Sequence, residues 1–228
     1  MTRWSHQGGG MPRATFFNLP EEKRALILRV AMEEFAAHPF PRASVNRIVK
    51  RAGIAKGSFY QYFEDKKDLL LYVLQIIGEE KLAYLRPVLE RGNQEDFFTL
   101  LRDLYIAGIR FAQEHPLYVQ IGRQLLASRN SPIYQEALAR GMAIAQEIFE
   151  RMIQEAIRRG EVRDDLDVRL MAFLVASLNN LVVEYYTEHV ASEYDERLLR
   201  VADQFIEFLR RGLGANQQQR RRKLHEHH

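Results

Sequence analysis

Apolar residues recur at every third or fourth position along most of this chain, and this spacing is the period of an amphipathic α-helix. In the middle of the chain this spacing is seen at Phe98, Leu101, Tyr105, Ile109 and Ala112. Prolines and glycines divide the pattern into segments of helical length, and no segment alternates apolar with polar residues as a half-buried strand does. The sequence therefore predicts an all-α fold.

Breaker and capping residues set the expected helix limits. Pro20 suits the first turn of a helix, Pro39 and Pro41 end that helix, and Ser44 can cap the next one. About nine helices are predicted in this way, over residues 20–37, 44–51, 56–63, 68–85, 95–114, 116–128, 132–159, 168–190 and 195–213.

The composition is that of a soluble globular protein, with 46% hydrophobic and 28% charged residues among 228. The absence of cysteine excludes disulfides, thiolate nucleophiles and cysteine-ligated metal sites. The longest apolar stretch, Leu170 to Val183, contains Ser177 and two asparagines, and we expect it to be too short to span a bilayer. Because the N-terminus lacks an apolar signal segment, a cytoplasmic location without membrane contact is predicted.

Basic residues are concentrated near the start of the chain. Residues 1–67 contain 12 Lys and Arg against 6 Asp and Glu, whereas the whole chain contains 33 against 30. A basic segment joined to an acidic body indicates a polyanionic partner for that segment. A solvated basic surface is the alternative.

Two short predicted helices, 44–51 and 56–63, are joined by a turn containing Gly53, as in a helix-turn-helix. Glycine tolerates the positive φ that such a turn needs. Phe59 and Phe63 have the spacing of core residues. The remaining side chains can bond to bases and neutralise phosphates, and they are Lys56, Ser58, Tyr60, Gln61, Tyr62 and Lys66.

The segment that contains these helices resembles the DNA-binding domain of TetR-family transcriptional regulators. The matching residues are Ser44, Val45, Ile48, the run Ala52 to Tyr60, Tyr62, Phe63, Lys66 and Leu69. The resemblance implies a three-helix helix-turn-helix domain joined to a larger helical domain that binds a ligand and forms a dimer.

The resemblance also implies individual DNA contacts. Ser44 would cap its helix and contact a phosphate, Tyr60 and Lys66 would hold the DNA backbone, and Gly57 would allow close approach. The other residues implied to face the groove or the phosphates are Asn46, Arg47, Lys56, Ser58, Gln61 and Tyr62. The family more often has a glycine turn where this chain has His38-Pro39-Phe40-Pro41.

The expected organisation has four parts. A flexible arm over residues 1–17 precedes the helix-turn-helix domain over 18–66. The helical ligand-binding and dimerisation domain follows over 67–214. A basic tail over 215–228 ends in histidines that resemble part of an expression tag.

The predicted helix 168–190 is apolar nearly all round, which indicates burial on both sides, the second side against another subunit. With the last helix it would form a four-helix interface between two copies. The interface candidates are Leu174, Leu178, Leu181, Leu198, Val201, Phe205 and Leu209.

The resemblance implies that the homodimer reads a pseudo-palindromic operator in double-stranded DNA and that a small hydrophobic or amphipathic effector releases it. The candidate effector contacts are Tyr105, Ile109, Tyr118, Arg123, Phe149, Asn179, Asn180 and Tyr185. Packing and structural hydrogen bonds are the alternative roles for these side chains.

No catalytic or metal-binding constellation is visible. His38, His115 and His189 stand apart without metal-ligand spacing, and the aspartates of residues 164–167 suit capping of the helix that follows. We expect no cofactor, no metal and no enzyme activity. The predicted function is sequence-specific repression. The alternatives are an activator, an effector-independent regulator, or a helical ligand carrier that binds no specific DNA.

Overall fold

The computed structural model describes residues 12–215, and these form ten α-helices without a strand among them. An isolated antiparallel bridge pairs Val162 with Gly214. The all-α prediction is confirmed. The helices are α1 (Ala14–Phe17), α2 (Glu21–Ala37), α3 (Val45–Ala52), α4 (Lys56–Tyr62), α5 (Lys66–Leu89), α6 (Phe97–Glu114), α7 (Pro116–Leu126), α8 (Pro132–Arg158), α9 (Val168–His189) and α10 (Glu196–Leu213), with a 3-10 turn over Glu90–Asn93.

The helix limits follow local chemistry. The Ser44 hydroxyl accepts a hydrogen bond from the Arg47 amide at 3.4 Å and caps α3. Asp167 accepts one from the Leu170 amide at 2.7 Å and caps α9. Gly53 ends α3 with a φ of +60°, a left-handed conformation that glycine adopts at little cost. The predicted caps and turn are confirmed.

The first helix lies where the sequence predicted a flexible arm. In α1 the Phe16 side chain is 0% exposed, and its ring centroid lies 4.9 Å from that of Phe63 and 5.9 Å from that of Tyr72. The prediction is therefore wrong for residues 14–17, because an aromatic cluster anchors them. Residues 1–11 of the arm and 216–228 of the basic tail lie outside the described residues.

The described residues divide into two compact units. The first contains residues 12–80 and 115–138, and the second contains 81–114 and 139–215, so the division falls within α5 and α8. The core of the first unit joins α1 to α4 with parts of α5 and α7. The main core of the second joins α6, α8, α9 and α10. The expected functional boundary after residue 66 stays a prediction.

Helix α9 is unusually apolar. Among the residues described, it alone is long and apolar enough to cross a membrane by length and composition. Only 17% of its most apolar 18-residue segment is buried within the chain. The expectation that this stretch is too short is wrong. The helix runs for 22 residues, about 33 Å, because it continues through the aromatic and polar residues after Val183.

Candidate nucleic-acid interface

Buried aromatic side chains and a lysine of the first unit hold the helix-turn-helix in place. Phe59 of α4 and Phe63 just after it are fully buried, which confirms them as core residues. The Lys23 ammonium donates to the carbonyl oxygens of Ala52 at 2.9 Å and Gly53 at 3.1 Å. A cation here satisfies the last carbonyls of α3 and interacts favourably with the negative end of the helix dipole. Lys23 thus fixes the turn that sets the angle between α3 and α4.

The outward side of α4 is polar and accessible. Lys56, Gly57 and Gln61 are exposed, and Ser58 and Tyr62 are half-buried. Tyr60 is 44% exposed, and its ring stands edge-on to the buried ring of Phe59. The six residues predicted on α4 therefore share one short helix, and four of them are exposed on the side away from its core anchors.

Gly57 leaves a gap in this polar surface. A Cβ atom built on it would have no atom within 4 Å apart from those of its own chain neighbours and helix backbone. The position is therefore free of steric demands from the fold, although glycine is unfavourable in a helix by about 0.5–1 kcal/mol relative to alanine. A requirement outside the chain, such as close approach of DNA, would account for the glycine.

Replacement of Gly57 by leucine is therefore expected to leave the free energy of unfolding unchanged or raised by up to about 1 kcal/mol. The same change is expected to weaken DNA binding by about tenfold or more, since a side chain would stand between α4 and the groove. Chemical unfolding and fluorescence anisotropy with labelled DNA measure the two quantities. Gly78→Leu, in open space on α5, is the control, and equal DNA affinities for both variants would contradict the assignment.

The C-terminal end of α4 is tied to α1. The Arg13 amide donates to the Tyr62 carbonyl oxygen at 2.8 Å, and the Thr15 hydroxyl donates to the Gln61 carbonyl oxygen. The Tyr62 ring also packs on Phe16, with 6.1 Å between ring centroids. These bonds satisfy carbonyl groups at the helix end, so α1 helps to position the residues that face outward.

A buried carboxylate joins α2 to α3. Glu34 is 3% exposed and accepts hydrogen bonds from the Ser44 amide at 2.8 Å and from Arg47 Nε at 3.0 Å. Burial alone would raise the pKa of Glu34, but the hydrogen bonds from Arg47 and Ser44 outweigh it and hold the pKa below its ordinary value. The first turn of α3 is thereby fastened to α2.

Lys66 holds the loop that departs from the family pattern. Its ammonium donates to the carbonyl oxygens of Phe40 at 2.6 Å and Ala43 at 2.8 Å, and it lies 4.5 Å from the centre of the Phe40 ring. Desolvation lowers the pKa of Lys66. The double-proline loop is thus closed by a cation that binds its carbonyl groups.

Two of the predicted DNA contacts therefore have partners within the chain. The Arg47 guanidinium is paired with Glu34, and Lys66 is bonded to the loop, whereas Asn46 is exposed at the start of α3. Neither Lys23 nor Glu34 was predicted from the sequence. Their helix, α2, showed only an apolar stripe, and the bonds they make span 29 and 13 residues.

Replacement of Glu34 by glutamine is expected to lower the free energy of unfolding by about 1–2 kcal/mol at neutral pH, because Arg47 loses its charged acceptor. The lowered pKa means that the carboxylate contributes stability above the ordinary value of 4.5 and loses it as the pH falls through the folded-state pKa. The difference between the two proteins in urea unfolding should therefore be constant from pH 7 to about 5 and shrink below about pH 4. A difference independent of pH would contradict this role.

The predicted effector contacts do not form a single group. Tyr118 and Arg123 belong to the first unit, and the other six belong to the second. Tyr118 donates to Glu80 at 2.7 Å, and burial with this bond raises its pKa to about 12. The remaining six comprise buried Ile109 and Phe149, half-buried Tyr105, Asn179 and Asn180, and exposed Tyr185.

The predicted interface residues are divided between core and surface. Leu198 and Leu209 of α10 are buried within the second unit, Leu178, Val201 and Phe205 are half-buried, and Leu174 and Leu181 of α9 are exposed. The structure adds four exposed apolar residues on these two helices, and they are Leu170, Phe173, Tyr185 and Phe208.

The aspartates before α9 make local contacts in the part of the chain described. No group of three or more His, Asp or Glu residues there is placed to hold a metal ion. Asp167 of the predicted capping cluster caps α9, and Asp165 is paired with Arg163.

Comparisons with known proteins agree with this geometry. A family model described as bacterial regulatory proteins of the tetR family matches residues 27–73. An uncharacterized HTH-type transcriptional regulator of Bacillus subtilis, YvdT, is 26% identical over 191 residues, which cover 82% of this chain and 93% of the relative.

Solved structures extend the match to nearly the whole chain. A TetR family transcriptional regulator from Chloroflexus aurantiacus is 35% identical with a TM-score of 0.61, and the match covers 91% of this chain and 100% of the other. The transcriptional regulator FadR from Bacillus subtilis, solved in complex with stearoyl-CoA, shares the fold at 20% identity with a TM-score of 0.62, over 81% of this chain and 96% of the other.

Proposed function

We propose, from the premise that this chain belongs to the TetR family of transcriptional regulators, that it is a cytoplasmic homodimeric repressor. Two copies would bind the half-sites of a pseudo-palindromic operator in double-stranded DNA. A small hydrophobic or amphipathic effector would release them. The helix-turn-helix unit would read the DNA, and the helical domain over residues 67–214 would bind the effector and form the dimer.

The observation that carries the proposal is the exposed polar side of α4 on a helix-turn-helix. A helix of this kind enters the major groove with its outward side chains toward the base edges. Gln61 carries an amide that can bond to adenine, and Lys56 carries a cation that can neutralise a phosphate. Gly57 between them adds no bulk. This surface is therefore suited to reading DNA sequence as well as to binding its backbone.

Dimer formation is supported by an apolar stripe along α9. Leu170, Leu174, Leu181 and Tyr185 are exposed at helical spacing, and Phe208 of α10 is 65% exposed. The opposite side of α9, which includes Ala172, Val175 and Ala176, lies in the core of the second unit. A helix with one side in a protein core cannot be surrounded by lipid, so a second copy of the chain is the occupant we infer.

Effector binding is supported by a protein of the same fold, and it would be thermodynamically linked to DNA binding. FadR, which shares the fold, was solved with stearoyl-CoA, a molecule with a long apolar chain. If an effector weakens DNA binding by a given factor, the operator weakens effector binding by the same factor. Isothermal titration of effector into free and DNA-bound protein tests that reciprocity once an operator and an effector are known.

The proposal is tested first by selecting DNA sites from a random pool with purified protein at about 150 mM salt. A pseudo-palindromic site with half-sites about 34 Å apart, one turn of DNA, is the expected result. Gln61→Ala should then change the base preference, whereas Lys56→Ala should weaken all sequences alike. Salt-sensitive binding without any enriched sequence would overturn the proposal and favour a generic polyanion surface.

A further inference from the structure

Helix α1 lies directly against the last turn of α4. The Arg13 amide donates to the Tyr62 carbonyl oxygen at 2.8 Å, and the Thr15 hydroxyl donates to the Gln61 carbonyl oxygen. Gln61 also belongs to the exposed side of α4 that is proposed to read DNA. The segment before α2 therefore adjoins the proposed DNA-reading surface, at the end of α4 opposite to the turn at Gly53.

The backbone of Arg13 is held in place from both sides. Pro12 before it is buried, and Phe16 after it is fully buried in the aromatic cluster. Arg24 of α2 donates to the carbonyl oxygen of Phe17 at 2.7 Å, which joins the end of α1 to α2. A side chain on an anchored backbone loses less conformational freedom on binding than one on a free arm, so Arg13 is prepared for a contact outside the chain.

The Arg13 guanidinium has no partner among the residues described. Within residues 12–80, five exposed basic side chains make no ion pair or hydrogen bond with another described residue, and they are Arg13, Arg29, Arg42, Lys50 and Lys56. Lys56 begins α4, whereas Arg13 is bonded through its backbone amide to the last residue of α4. A cation that is free to bind an anion therefore stands at each end of this helix.

The charges near Arg13 favour a contact with an external anion. The first 20 residues of the chain contain no Asp or Glu that could pair with it. Glu64 and Asp65 follow α4 and are exposed, and their charges disfavour a phosphate near that end of α4. A guanidinium there offsets this repulsion and can bind phosphate oxygens with two parallel hydrogen bonds.

The dimensions of DNA place the end of α4 close to phosphates. The major groove is about 12 Å wide, and an α-helix with its side chains is about 10–12 Å across. A helix in the groove therefore fills its width. A segment bonded to the end of that helix, as α1 is, lies outside the groove and close to the sugar-phosphate strands that border it.

We propose that α1 is a further DNA-contacting element, in which the Arg13 guanidinium binds a phosphate beside the end of α4. With Lys56 at the other end, Arg13 holds the DNA backbone on both sides of the residues that face the bases. The inference rests on the proposed function, because it adds a contact to the same DNA-binding site. The contact is to the backbone, so it strengthens binding to every sequence and selects none.

The salt dependence of DNA binding tests the guanidinium alone, because Arg13→Ala keeps the backbone amide and its bond to Tyr62. The slope of log affinity against log salt should become less negative by about 0.9 for each bound chain, which is about 1.8 for the proposed dimer. Between about 50 and 200 mM salt, the wild type should therefore lose about tenfold more affinity than the variant. Fluorescence anisotropy measures this with the selected operator and with a duplex of random sequence, and both should show the change.

Two matched variants separate a phosphate contact from a general effect of charge. Arg13→Lys keeps a cation at the position and should retain the wild-type slope. Arg151→Ala removes an exposed arginine of α8 in the second unit, lowers the net charge by the same amount and should also retain the slope. All three variants should unfold in urea like the wild type, because an exposed side chain without a partner contributes little to stability.

The inference and the proposed function fail in different ways. Equal slopes for wild type and Arg13→Ala, or an equal change in Arg151→Ala, would overturn the inference and leave a selected operator unaffected. Failure to enrich any operator would overturn the proposed function. The slope with the random-sequence duplex would then still decide whether Arg13 binds a phosphate.

Discussion

Replacement of Leu181 by aspartate is expected to convert the proposed dimer to a monomer and to weaken operator binding by more than about 100-fold. Leu181 is 54% exposed at the centre of the apolar stripe on α9. In a symmetric dimer, each copy would bring one carboxylate into an apolar interface, where an unpaired charge is strongly disfavoured. A monomer binds only one half-site, and halving the binding free energy of a nanomolar complex raises its Kd by several powers of ten.

Light scattering at micromolar concentration measures the first effect, and anisotropy with the selected operator measures the second. Leu181→Met keeps the apolar character and should remain a dimer with the original DNA affinity. Circular dichroism should show equal helix content in all three proteins, because an exposed side chain contributes little to the fold. A dimeric Leu181→Asp protein would place the interface elsewhere on the molecule.

Truncation of Phe16 to alanine is expected to lower the free energy of unfolding by about 3–5 kcal/mol, the usual cost of removing a fully buried aromatic ring. The ring is 0% exposed and contacts the rings of Phe63 and Tyr72. The hydrogen bond from the Arg13 amide to the Tyr62 carbonyl oxygen depends on the same anchoring. The variant should therefore also lose the contact between α1 and the end of α4. Urea unfolding followed by circular dichroism measures the loss, and operator affinity should fall with it.

Phe17 offers a matched control at the next position. It has the same side chain but is 44% exposed, and it makes edge contacts with Phe16 and Tyr72. Phe17→Ala is expected to cost about 1 kcal/mol or less, as exposed apolar groups gain little from folding. Similar losses for the two variants would show that α1 is not anchored through Phe16.

Local chemistry explains why the helices could be predicted so closely. The caps at Ser44 and Asp167 and the breaker at Gly53 act on their own neighbours, so the sequence shows them directly. In the helix-turn-helix, the apolar period then gave the buried side. The core positions Phe59 and Phe63 followed from this reasoning.

Contacts between distant segments could not be predicted in the same way. The bonds of Lys23 to the end of α3, of Glu34 to Arg47 and of Lys66 to the Phe40 loop depend on tertiary packing. The apolar stripe of α10 is broad, and its period did not separate the residues that are buried in the second unit from those that are exposed. Leu198 and Leu209 proved to be buried in the second unit, while Phe208 is exposed.

The internal bonds of Arg47 and Lys66 have a consequence for how DNA binding responds to salt. Each phosphate that a protein neutralises releases condensed counterions, and each contributes about −0.9 to the slope of log affinity against log salt. A guanidinium already paired with Glu34 and an ammonium already bound to loop carbonyls add little to this release. The salt dependence of operator binding should therefore be shallower than the number of basic residues in the first unit suggests, and a larger share of the affinity should come from contacts that distinguish one sequence from another.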